Sequence, residues 1–496
     1  MAKREPLTNE SVNNKGFFGH PMGLFTLFFT EFWERFSYYG MKAILVYYMY
    51  TQVTKGGLGI DETTATAIVS IYGSLVYMSG IIGGWIADRL AGSTRTVFLG
   101  GVLIMLGHIA LALPFGISGL FASMVLIVLG TGLLKPNVSN VVGSLYSKTD
   151  NRRDSGFSIF YMGVNLGAFV APLVVGTIGQ KYNFHLGFGL AAIGMFLGLV
   201  VFMATKKKNI GNAGVEVPNP LPNDQKGKIY LGIGIAAVLI IVVGVIFANV
   251  GILTIDSFIN LVTILSIAIP ILYFIVMYFS NKTSEVERSR LLAYIPLFIA
   301  SVIFWSIQEQ GSTILAVFAD KRTDLNFGGL KIESSWFQSV NPLFIIVLAP
   351  VFAWIWMKLG NRQPSTPKKF SFGLIFAGLS FLIMLFPAIL NGTESLVNPI
   401  WLVLSFLLCV LGELCLSPVG LSATTKLAPA AFSAQTMSLW FLSNAAAQGI
   451  NAQIVQLYNE KTEIVYFGVI GIIAVGLGLV LFAVSPAIKK LMQGIN

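Results

Sequence analysis

Charged residues, cysteines and histidines are all scarce in this sequence. Only 11% of its 496 residues are charged, whereas about a quarter of the residues of an average soluble domain are charged. The two cysteines, Cys409 and Cys415, fall in one apolar segment and would point to different faces of a helix, so they cannot form a disulfide. With three histidines and no zinc-like spacing, the sequence predicts no metal site, no cofactor and no catalytic constellation of an enzyme.

Long apolar runs make up most of the sequence, in place of the frequent charged residues of a soluble protein. Hydrophobic residues make up 55% of the chain. About fourteen runs reach the length of roughly 20 residues that spans a bilayer as a helix, so we predict an all-α integral membrane protein. Residues 1–21 are polar and lack a cleavable signal pattern, and the first run is therefore predicted to be a true span.

Lysine and arginine concentrate in loops that would share one side of the membrane. They precede the first run and fill three later loops: Lys3, Arg4 and Lys15; Lys148, Arg152 and Arg153; Lys206, Lys207, Lys208, Lys226 and Lys228; Lys358, Arg362, Lys368 and Lys369. The net charge of +10 is thus typical of loops that face anionic lipid, and it does not indicate nucleic-acid binding. We predict a multi-pass protein of the cell membrane with both termini in the cytoplasm.

The segment 205–228 is the clearest internal boundary, because it is charged and rich in Pro, Asn and Gly. The predicted organisation has six parts: a cytoplasmic tail (1–21), an N-terminal six-helix bundle (22–204), a cytoplasmic linker (205–228), two additional transmembrane helices (229–281), a C-terminal six-helix bundle (282–485) and a cytoplasmic tail (486–496).

The first apolar run contains four charged residues, in the stretch TEFWERFSYYGMK at 30–42. On a helix, one face would carry its polar side chains: Glu31, Glu34, Arg35, Tyr38, Tyr39 and Lys42. A charge inside a bilayer is costly, so these groups should face one another or a water-filled cavity. Glu31 and Arg35 lie one turn apart and can pair. Two interpretations stay open: a static ion pair that joins helices, and carboxylates that load protons in a site of low dielectric constant.

Other apolar runs also contain polar or bulky aromatic residues that could face a cavity: Lys135, Asn165, Trp305, Gln308, Glu309, Asn341, Glu413 and Trp440. Asn165 and Asn341 could instead form hydrogen bonds between helices. Pro136 and Pro418 interrupt two runs at matching places in the two halves, which is typical of a transporter with its site near the middle of the membrane. A cavity with charges of both signs, amides and aromatic rings suits a zwitterion with a polar backbone.

The stretch GGWIADRLAGSTR, at 83–95, follows the second run. It resembles the cytoplasmic loop signature of the major facilitator superfamily, G-x-x-x-D-R-x-x-G-x-x-R. The resemblance implies that Asp88 and Arg89 latch a gate on the cytoplasmic side, and a simple polar loop is the alternative.

Three stretches resemble the proton-dependent oligopeptide transporter (POT) family: TEFWERFSYYG at 30–40, FSIFYMGVNLGAFVAP at 157–172 and WFQSVNPLF at 336–344. The resemblance covers nearly the whole chain, including two helices between the halves. It implies a major facilitator fold, with two six-helix bundles plus those two extra helices.

The resemblance also implies roles for individual residues. Proton coupling is assigned to Glu31, Glu34, Arg35 and Glu309. Peptide binding is assigned to Tyr38, Tyr39, Lys42, Tyr77, Lys135, Asn165, Trp305, Gln308, Asn341, Glu413, Ser417 and Trp440. The predicted gates use Lys135, Glu413, Lys42, Glu309, Asp88 and Arg89. Two positions depart from the family pattern: Lys42 replaces an arginine, which puts bidentate carboxylate binding in question, and Gln308 replaces a second glutamate.

These features predict proton-coupled uptake of di- and tripeptides by alternating access. Positive charge in the first half would bind the peptide carboxylate, and Glu413 its ammonium group. The predicted partners are small peptides, protons and the lipid bilayer, and a monomer would suffice. The alternatives are a related transporter of nitrate, drugs or another small solute, because fold does not determine substrate, and a membrane enzyme or receptor.

Overall fold

The computed structural model describes residues 16–147, 150, 152–252, 254–327 and 329–495, and most of this chain is helical. The α-helices in chain order are α1 (Met22–Tyr50), α2 (Glu62–Ile86), α3 (Ser93–Ala112), α4 (Gly116–Ser144), α5 (Arg153–Ala171), α6 (Thr177–Lys181), α7 (Phe184–Asn209), α8 (Asn223–Asn249), α9 (Ile255–Phe279), α10 (Glu285–Glu309), α11 (Ile314–Lys321), α12 (Val340–Leu359), α13 (Thr366–Leu382), α14 (Leu385–Asn391), α15 (Ile400–Leu427), α16 (Ser433–Ile454) and α17 (Glu463–Leu491). Strands β1 (Asn326–Phe327) and β2 (Leu330–Lys331) form a small antiparallel hairpin. The prediction of an all-α protein is confirmed.

Fourteen of the described helices have at least 17 residues, which matches the predicted number of spans. Eleven helical segments are long and apolar enough to cross a membrane on length and composition alone. Helices α1, α8 and α16 lie outside this set, and α1 is the helix that carries the four charged residues of the first apolar run.

The chain divides into two compact units, each assembled from segments that are distant in sequence. Unit 1 contains Met1–Gly40, Ser79–Ala171 and Phe188–Lys226, and unit 2 contains Met41–Met78, Pro172–Gly187 and Gly227–Asn496. Helix α1 contributes to both. The predicted boundaries of tails, bundles and linker stay a prediction, and residues 1–15 of the first tail lie outside the described residues.

Close contact between α3 and α4 organises unit 1. A Cβ atom added at Gly130 would lie 2.7 Å from the carbonyl oxygen of Gly100, closer than real side chains come. Small residues permit this approach and strengthen van der Waals packing, which drives helix association in lipid. Buried Ile104, Leu134 and Met195 belong to the apolar core that surrounds this contact.

Pro136 lies inside α4 and lacks the amide proton that a helical residue donates. The Nδ2 of the next residue, Asn137, donates to the carbonyl oxygen of Leu133 at 2.8 Å and to that of Gly83 at 3.0 Å. The Asn137 amide therefore bonds a carbonyl group one turn earlier in its own helix and joins α4 to α2. This explains why a fully buried asparagine follows the proline.

The predicted linker is helical at both ends, because α7 continues to Asn209 and α8 begins at Asn223. Its middle packs on the turn between α2 and α3. The amide of Thr94 donates to the carbonyl oxygen of Gly214, and the amides of Asn219 and Leu221 donate to the carbonyl oxygens of residues 88 and 89. Leu221 is 4% exposed. The charged composition of this segment did not predict such packing.

Unit 2 uses the same glycine packing around α13. A Cβ atom at Gly378 would lie 2.7 Å from the carbonyl oxygen of Gly471 in α17, and one at Gly373 would lie 3.2 Å from that of Gly412 in α15. These glycine contacts hold α13 close to both α15 and α17. Glu413 follows Gly412 directly, so this packing also positions a candidate functional side chain.

Candidate functional site

The charged face of α1 in unit 1 folds into a buried cluster of two carboxylates and one guanidinium group. Arg35 Nε lies 2.8 Å from Glu31 Oε1 and 2.6 Å from Glu34 Oε2. All three residues are at most 4% exposed. The predicted pairing of Glu31 with Arg35, four positions apart on one helix face, is therefore present. The neighbouring residue Glu34 also reaches the same Arg35 Nε.

This cluster keeps unused hydrogen-bonding capacity. Glu31 Oε2, Glu34 Oε1 and Arg35 Nη2 are buried and make no hydrogen bond to a described residue. Two acids share one guanidinium group, so the three side chains carry a net negative charge when both acids are ionised. Binding a proton would remove that excess charge in a place where an uncompensated charge is costly.

Three more predicted residues of unit 1 lie on or near this cluster. The Arg35 guanidinium is 5.8 Å from the ring centroid of Tyr38, which contacts Tyr39 edge-on at 5.5 Å. Lys135 on α4 is close enough to Glu34 for the two charges to interact.

Asn165 is buried on α5, and its Nδ2 donates to the carbonyl oxygen of Tyr161, one turn earlier in the same helix. This side chain therefore stays within its own helix and does not join the charged cluster through that bond.

A second polar cluster, in unit 2, forms around Glu309 at the end of α10. Lys42 Nζ lies 2.8 Å from Glu309 Oε2, although 267 positions separate the two residues in sequence. Tyr77 donates to Glu309 Oε1 at 3.3 Å. The structure thus brings Lys42 and Glu309, both predicted gate residues, together with Tyr77, a predicted peptide-binding residue.

Gln448 on α16 belongs to the same cluster, and sequence reasoning missed it. Its Nε2 donates to Glu309 Oε2 at 2.7 Å. A Cβ atom added at Gly73 on α2 would lie 2.6 Å from that Nε2, so the glycine makes room for the amide. The available signal was a lone glutamine in the otherwise small and apolar stretch AAAQGI at 445–450.

Glu413 lies in a separate polar contact of unit 2. It is 9% exposed, and its Oε2 accepts a hydrogen bond from Gln308 Nε2 at 3.0 Å. The Gln308 Oε1 accepts from the Cys409 thiol on the same helix as Glu413. Asn341 also lies beside Glu413. Gln308 therefore positions the carboxylate, which is a use for the amide that replaces the family's second glutamate.

The remaining predicted residues of unit 2 are Trp305, Ser417 and Trp440. Trp440 is 7% exposed and packs over Gly420, where an added Cβ atom would collide with the indole ring. Ser417 is half-buried on α15, one turn after Glu413. Trp305 is half-buried and contacts Phe304 edge-on at 5.3 Å. None of these three contacts the Glu309 cluster through a hydrogen bond between described residues.

Unit 2 also contains a band of contacts between segments of the two sequence halves. Tyr47 donates to the carbonyl oxygen of Ala316 at 3.0 Å, and Tyr50 donates to Asp320 Oδ2 at 2.6 Å. Glu62 pairs with Lys321. Tyr47 and Tyr50 lie beyond Lys42 toward the end of α1, and Ala316, Asp320 and Lys321 lie beyond Glu309 along the chain. They join the ends of α1 and α2 to α11.

The contacts of α6 extend the band. Gln180 Nε2 donates to Ser334 Oγ at 2.7 Å, and Trp336 Nε1 donates to Thr177 Oγ1 at 2.8 Å. A Cβ atom added at Gly176 would collide with Ser335 Oγ. Unit 2 is therefore tightly closed where these segments meet.

Asp88 and Arg89 lie in a five-residue π-helical turn that follows α2. Asp88 is exposed, and within the described ranges neither side chain takes part in an ion pair. Their backbone carbonyl groups instead hold the segment at 219–221. Their predicted gate role stays a prediction.

Among the residues that the structure describes, no group of three or more His, Cys, Asp or Glu side chains is arranged to hold a metal ion. The two clusters consist of carboxylates, an amide, phenols and ammonium or guanidinium groups. Such groups can bind charged organic molecules and exchange protons.

The chain is similar to a protein family, to individual transporters and to a solved structure. A family model described as "PTR2: POT family" matches residues 94–480. The uncharacterized transporter YclF of Bacillus subtilis is 65% identical over 486 residues, with 98% of each chain covered. A di-/tripeptide transporter of Lactococcus lactis subsp. cremoris is 51% identical over 499 residues, covering 99% of this chain and 100% of the relative. A crystal structure of a peptide transporter POT in complex with sulfate has a TM-score of 0.95 at 68% identity, with 98% of each chain covered.

Proposed function

We propose, because this chain belongs to the POT family of proton-dependent oligopeptide transporters, that it takes up di- and tripeptides together with protons by alternating access. The family match and the likeness to a solved structure confirm the predicted major facilitator fold and a multi-pass membrane transporter. The Lactococcus relative is named a di-/tripeptide transporter, and that name supports peptides as the solute carried here.

The observation that supports proton coupling is that two buried carboxylates on α1 share one guanidinium group as their ion-pair partner, with the Lys135 ammonium group near Glu34. In unit 1, Glu31 and Glu34 share Arg35. In unit 2, the Glu309 carboxylate accepts hydrogen bonds from Lys42, Tyr77 and Gln448. A static ion pair needs one acid for each base. Where Glu31 and Glu34 share Arg35, one of the two carboxylates can gain and lose a proton as its surroundings change.

For peptide binding we assign opposite roles to Lys135 and Glu413. Lys135 provides a cation for the peptide carboxylate, and Glu413, held by Gln308, provides an anion for the ammonium group. Amides at Asn165 and Asn341 would bind the peptide backbone. Both groups of a zwitterion then find partners of opposite charge, which compensates for leaving water.

The remaining predicted binding residues are aromatic or small: Tyr38, Tyr39, Tyr77, Trp305, Ser417 and Trp440. Aromatic side chains present large surfaces with a polar end, and such surfaces accept varied peptide side chains. We assign these residues to the walls of the site.

We assign the Lys42–Glu309 pair to a gate on the side opposite the termini. The band of contacts from Tyr47 to Trp336 supports this role, because it lies beyond the pair and closes unit 2 there. Protonation of Glu309 would leave Lys42 without its anion and weaken the closure. We assign Asp88, Arg89 and the Lys135 and Glu413 side chains to gating toward the cytoplasm.

The cell membrane is the proposed location, with both termini in the cytoplasm, as the distribution of lysine and arginine favours. The proposed partners are small peptides, protons and lipid, and neither a catalytic residue nor a cofactor is assigned. One polypeptide contains both clusters, so a monomer suffices for the proposed cycle.

Uptake of labelled dialanine into proteoliposomes tests this function. With an inside-negative potential of about 100 mV and a tenfold inward proton gradient, one proton per peptide supplies roughly 3.7 kcal/mol, which sustains an accumulation of a few hundredfold. We expect accumulation to depend on the gradient and to collapse on addition of a protonophore.

Empty liposomes are the control for leakage. Accumulation that survives the protonophore contradicts proton coupling. Proton-coupled uptake of nitrate or a drug in the absence of peptide uptake identifies the chain as a family member for another solute.

A further inference from the structure

A cluster of basic residues surrounds two adjoining cavities of unit 2, at the ends of α12, α13, α15 and α17. The first cavity has a volume of about 480 Å³ and the second about 560 Å³. They share Gln363, Pro364, Ser365 and Lys489 in their walls. We call this pair of cavities the basic pocket.

Five cationic side chains line the basic pocket: Arg362, Lys368, Lys369, Lys426 and Lys489. Within the described part of the chain, no carboxylate lines either cavity. Surface charges of both signs are normally interspersed. A wall of one sign concentrates an electrostatic field that attracts anions.

Lys369 is the most informative of these residues, because it is only 8% exposed. Its Nζ bonds Gln363 Oε1 at 2.8 Å and lies 4.3 Å from the ring centroid of Trp356. An amide and an aromatic face hold the ammonium group but do not neutralise it. A buried charge needs a counter-charge to be stable, and the cavity next to Lys369 is where that counter-charge would come from.

A buried hydroxyl group gives a second, independent indication. Ser485 lies on α17 in the wall of the second cavity and is 1% exposed. Its Oγ forms no hydrogen bond to any described residue. Buried hydroxyl groups almost always have a partner, so this donor is available to an acceptor that enters the cavity.

The wall of the second cavity is also partly apolar. Phe372 and Phe482 contact each other there at 6.0 Å between ring centroids, and Lys368 Nζ lies 5.2 Å from the Phe482 ring. Phe482 is 40% exposed, and it adjoins the exposed apolar residues Leu479 and Val484 on α17. A ligand that fits this wall has an anionic head next to a hydrocarbon part, which a free anion lacks.

We propose that the basic pocket binds the phosphate group of an anionic phospholipid. Lys489, which lines both cavities, and the hydroxyl group of Ser485 contact the phosphate, and Lys369 adds its positive charge from the adjoining cavity. The acyl chains lie along Phe372, Phe482 and the exposed face of α17. The pocket is at the end of the helices that the positive-inside pattern assigns to the cytoplasm, where anionic lipids are concentrated. This binding is independent of the transported solute.

Native mass spectrometry of the full chain, titrated with phosphatidylglycerol or phosphatidylcholine, tests the proposal. We expect the wild type to retain phosphatidylglycerol in preference to phosphatidylcholine, and Lys369→Gln with Lys489→Gln to weaken phosphatidylglycerol binding about tenfold, since each basic residue at a membrane surface contributes substantially to anionic lipid binding. Lys369→Arg with Lys489→Arg keeps the charges and should keep the binding.

The matched control is Lys358→Gln with Lys490→Gln, which removes the same charge from α12 and α17 outside both cavities. It should retain phosphatidylglycerol. An equal loss in this control overturns the proposal in favour of diffuse attraction to the basic surface. Displacement of the lipid by millimolar inorganic phosphate overturns it as well, because the pocket would then be a site for free phosphate.

Discussion

At the scale of single residues, the charges of α1 and α10 have clear but unequal surroundings. Arg35 is the ion-pair partner of two buried acids, Glu31 and Glu34, whereas the Glu309 carboxylate accepts hydrogen bonds from three donors. We propose that both clusters take part in proton coupling, and the Glu309 cluster also joins four helices: α1, α2, α10 and α16.

Replacing Glu309 with Gln should uncouple transport from the proton gradient. Glutamine keeps the shape of the side chain but cannot take up a proton, so we expect driven uptake of dialanine to fall at least about tenfold while peptide exchange at equal pH stays within about threefold. The measurement compares the two modes in the same proteoliposomes. Glu31→Gln and Glu34→Gln should likewise reduce driven uptake much more than peptide exchange.

The matched control for these substitutions is Glu285→Gln, which removes an exposed carboxylate from the first turn of α10, the helix that ends at Glu309. An exposed charge at the other end of the helix contributes little, so both transport modes should remain. If Glu309→Gln reduces exchange and driven uptake equally, Glu309 is structural and the coupling role assigned to it is wrong.

Gln448 donates a hydrogen bond to the Glu309 carboxylate, so its replacement should impair transport. Such a bond contributes roughly 1.5–3 kcal/mol, so Gln448→Ala should lower driven uptake about tenfold or more. Gln453→Ala is the comparison, because Gln453 lies on the same helix but bonds the exposed Asn260. Equal activity of the two variants would contradict a role for Gln448 in positioning Glu309.

At the scale of helices, glycine contacts determine how closely the elements pack. The contact of α3 with α4 places the Gly130 Cα against the backbone of α3. The contacts of α13 with α15 and α17 do the same near Glu413. Backbone packing of this kind tolerates no added atom.

Gly130→Ala should destabilise the protein in spite of alanine's higher helix propensity. The new methyl group would lie 2.7 Å from a backbone oxygen, and overpacking costs about 1–3 kcal/mol. Thermal unfolding in detergent should show a lower Tm. Gly234→Ala on α8, where nothing lies within 4 Å of the new atom, should leave Tm unchanged or raise it slightly. A Tm of Gly130→Ala equal to that of wild type would show that the two helices can separate at little cost.

At the scale of the whole molecule, the proposed cycle depends on how a peptide changes the pairing of charges. A ligand shifts a conformational equilibrium only if it interacts differently with the two states. Lys135 and Glu413 belong to different compact units. In the proposed binding mode, the dipeptide supplies a carboxylate to Lys135 and an ammonium group to Glu413, and these charges change the pairing of each side chain.

Lys135→Ala and Glu413→Ala should therefore each reduce uptake strongly, and the double variant should lose less than the sum of the two effects, as coupled residues do. N-acetylated peptides should bind more weakly to wild type and show no further loss with Glu413→Ala. Affinity measured by peptide competition tests both points. Fully additive losses, with N-acetylated peptides bound normally, would refute this mechanism.

The sequence by itself determined the class of the protein, most of its helices and most of the candidate residues. Hydropathy depends on local composition, so the long apolar runs predicted the long helices and the all-α fold. The position of Glu31, Glu34 and Arg35 on one helix face follows from helical periodicity alone. Their pairing could therefore be predicted without any knowledge of the neighbouring helices.

Only the tertiary structure decided which distant residues meet. The contact of Lys42 with Glu309, the contribution of Gln448 and the support of Glu413 by Gln308 and Cys409 join residues from different helices. Helix propensity and hydropathy contain no information on such partners, because a polar residue in an apolar run looks the same whatever it faces. The basic pocket was hidden for the same reason: its lysines come from three helices and read in sequence as ordinary charged loop and helix ends.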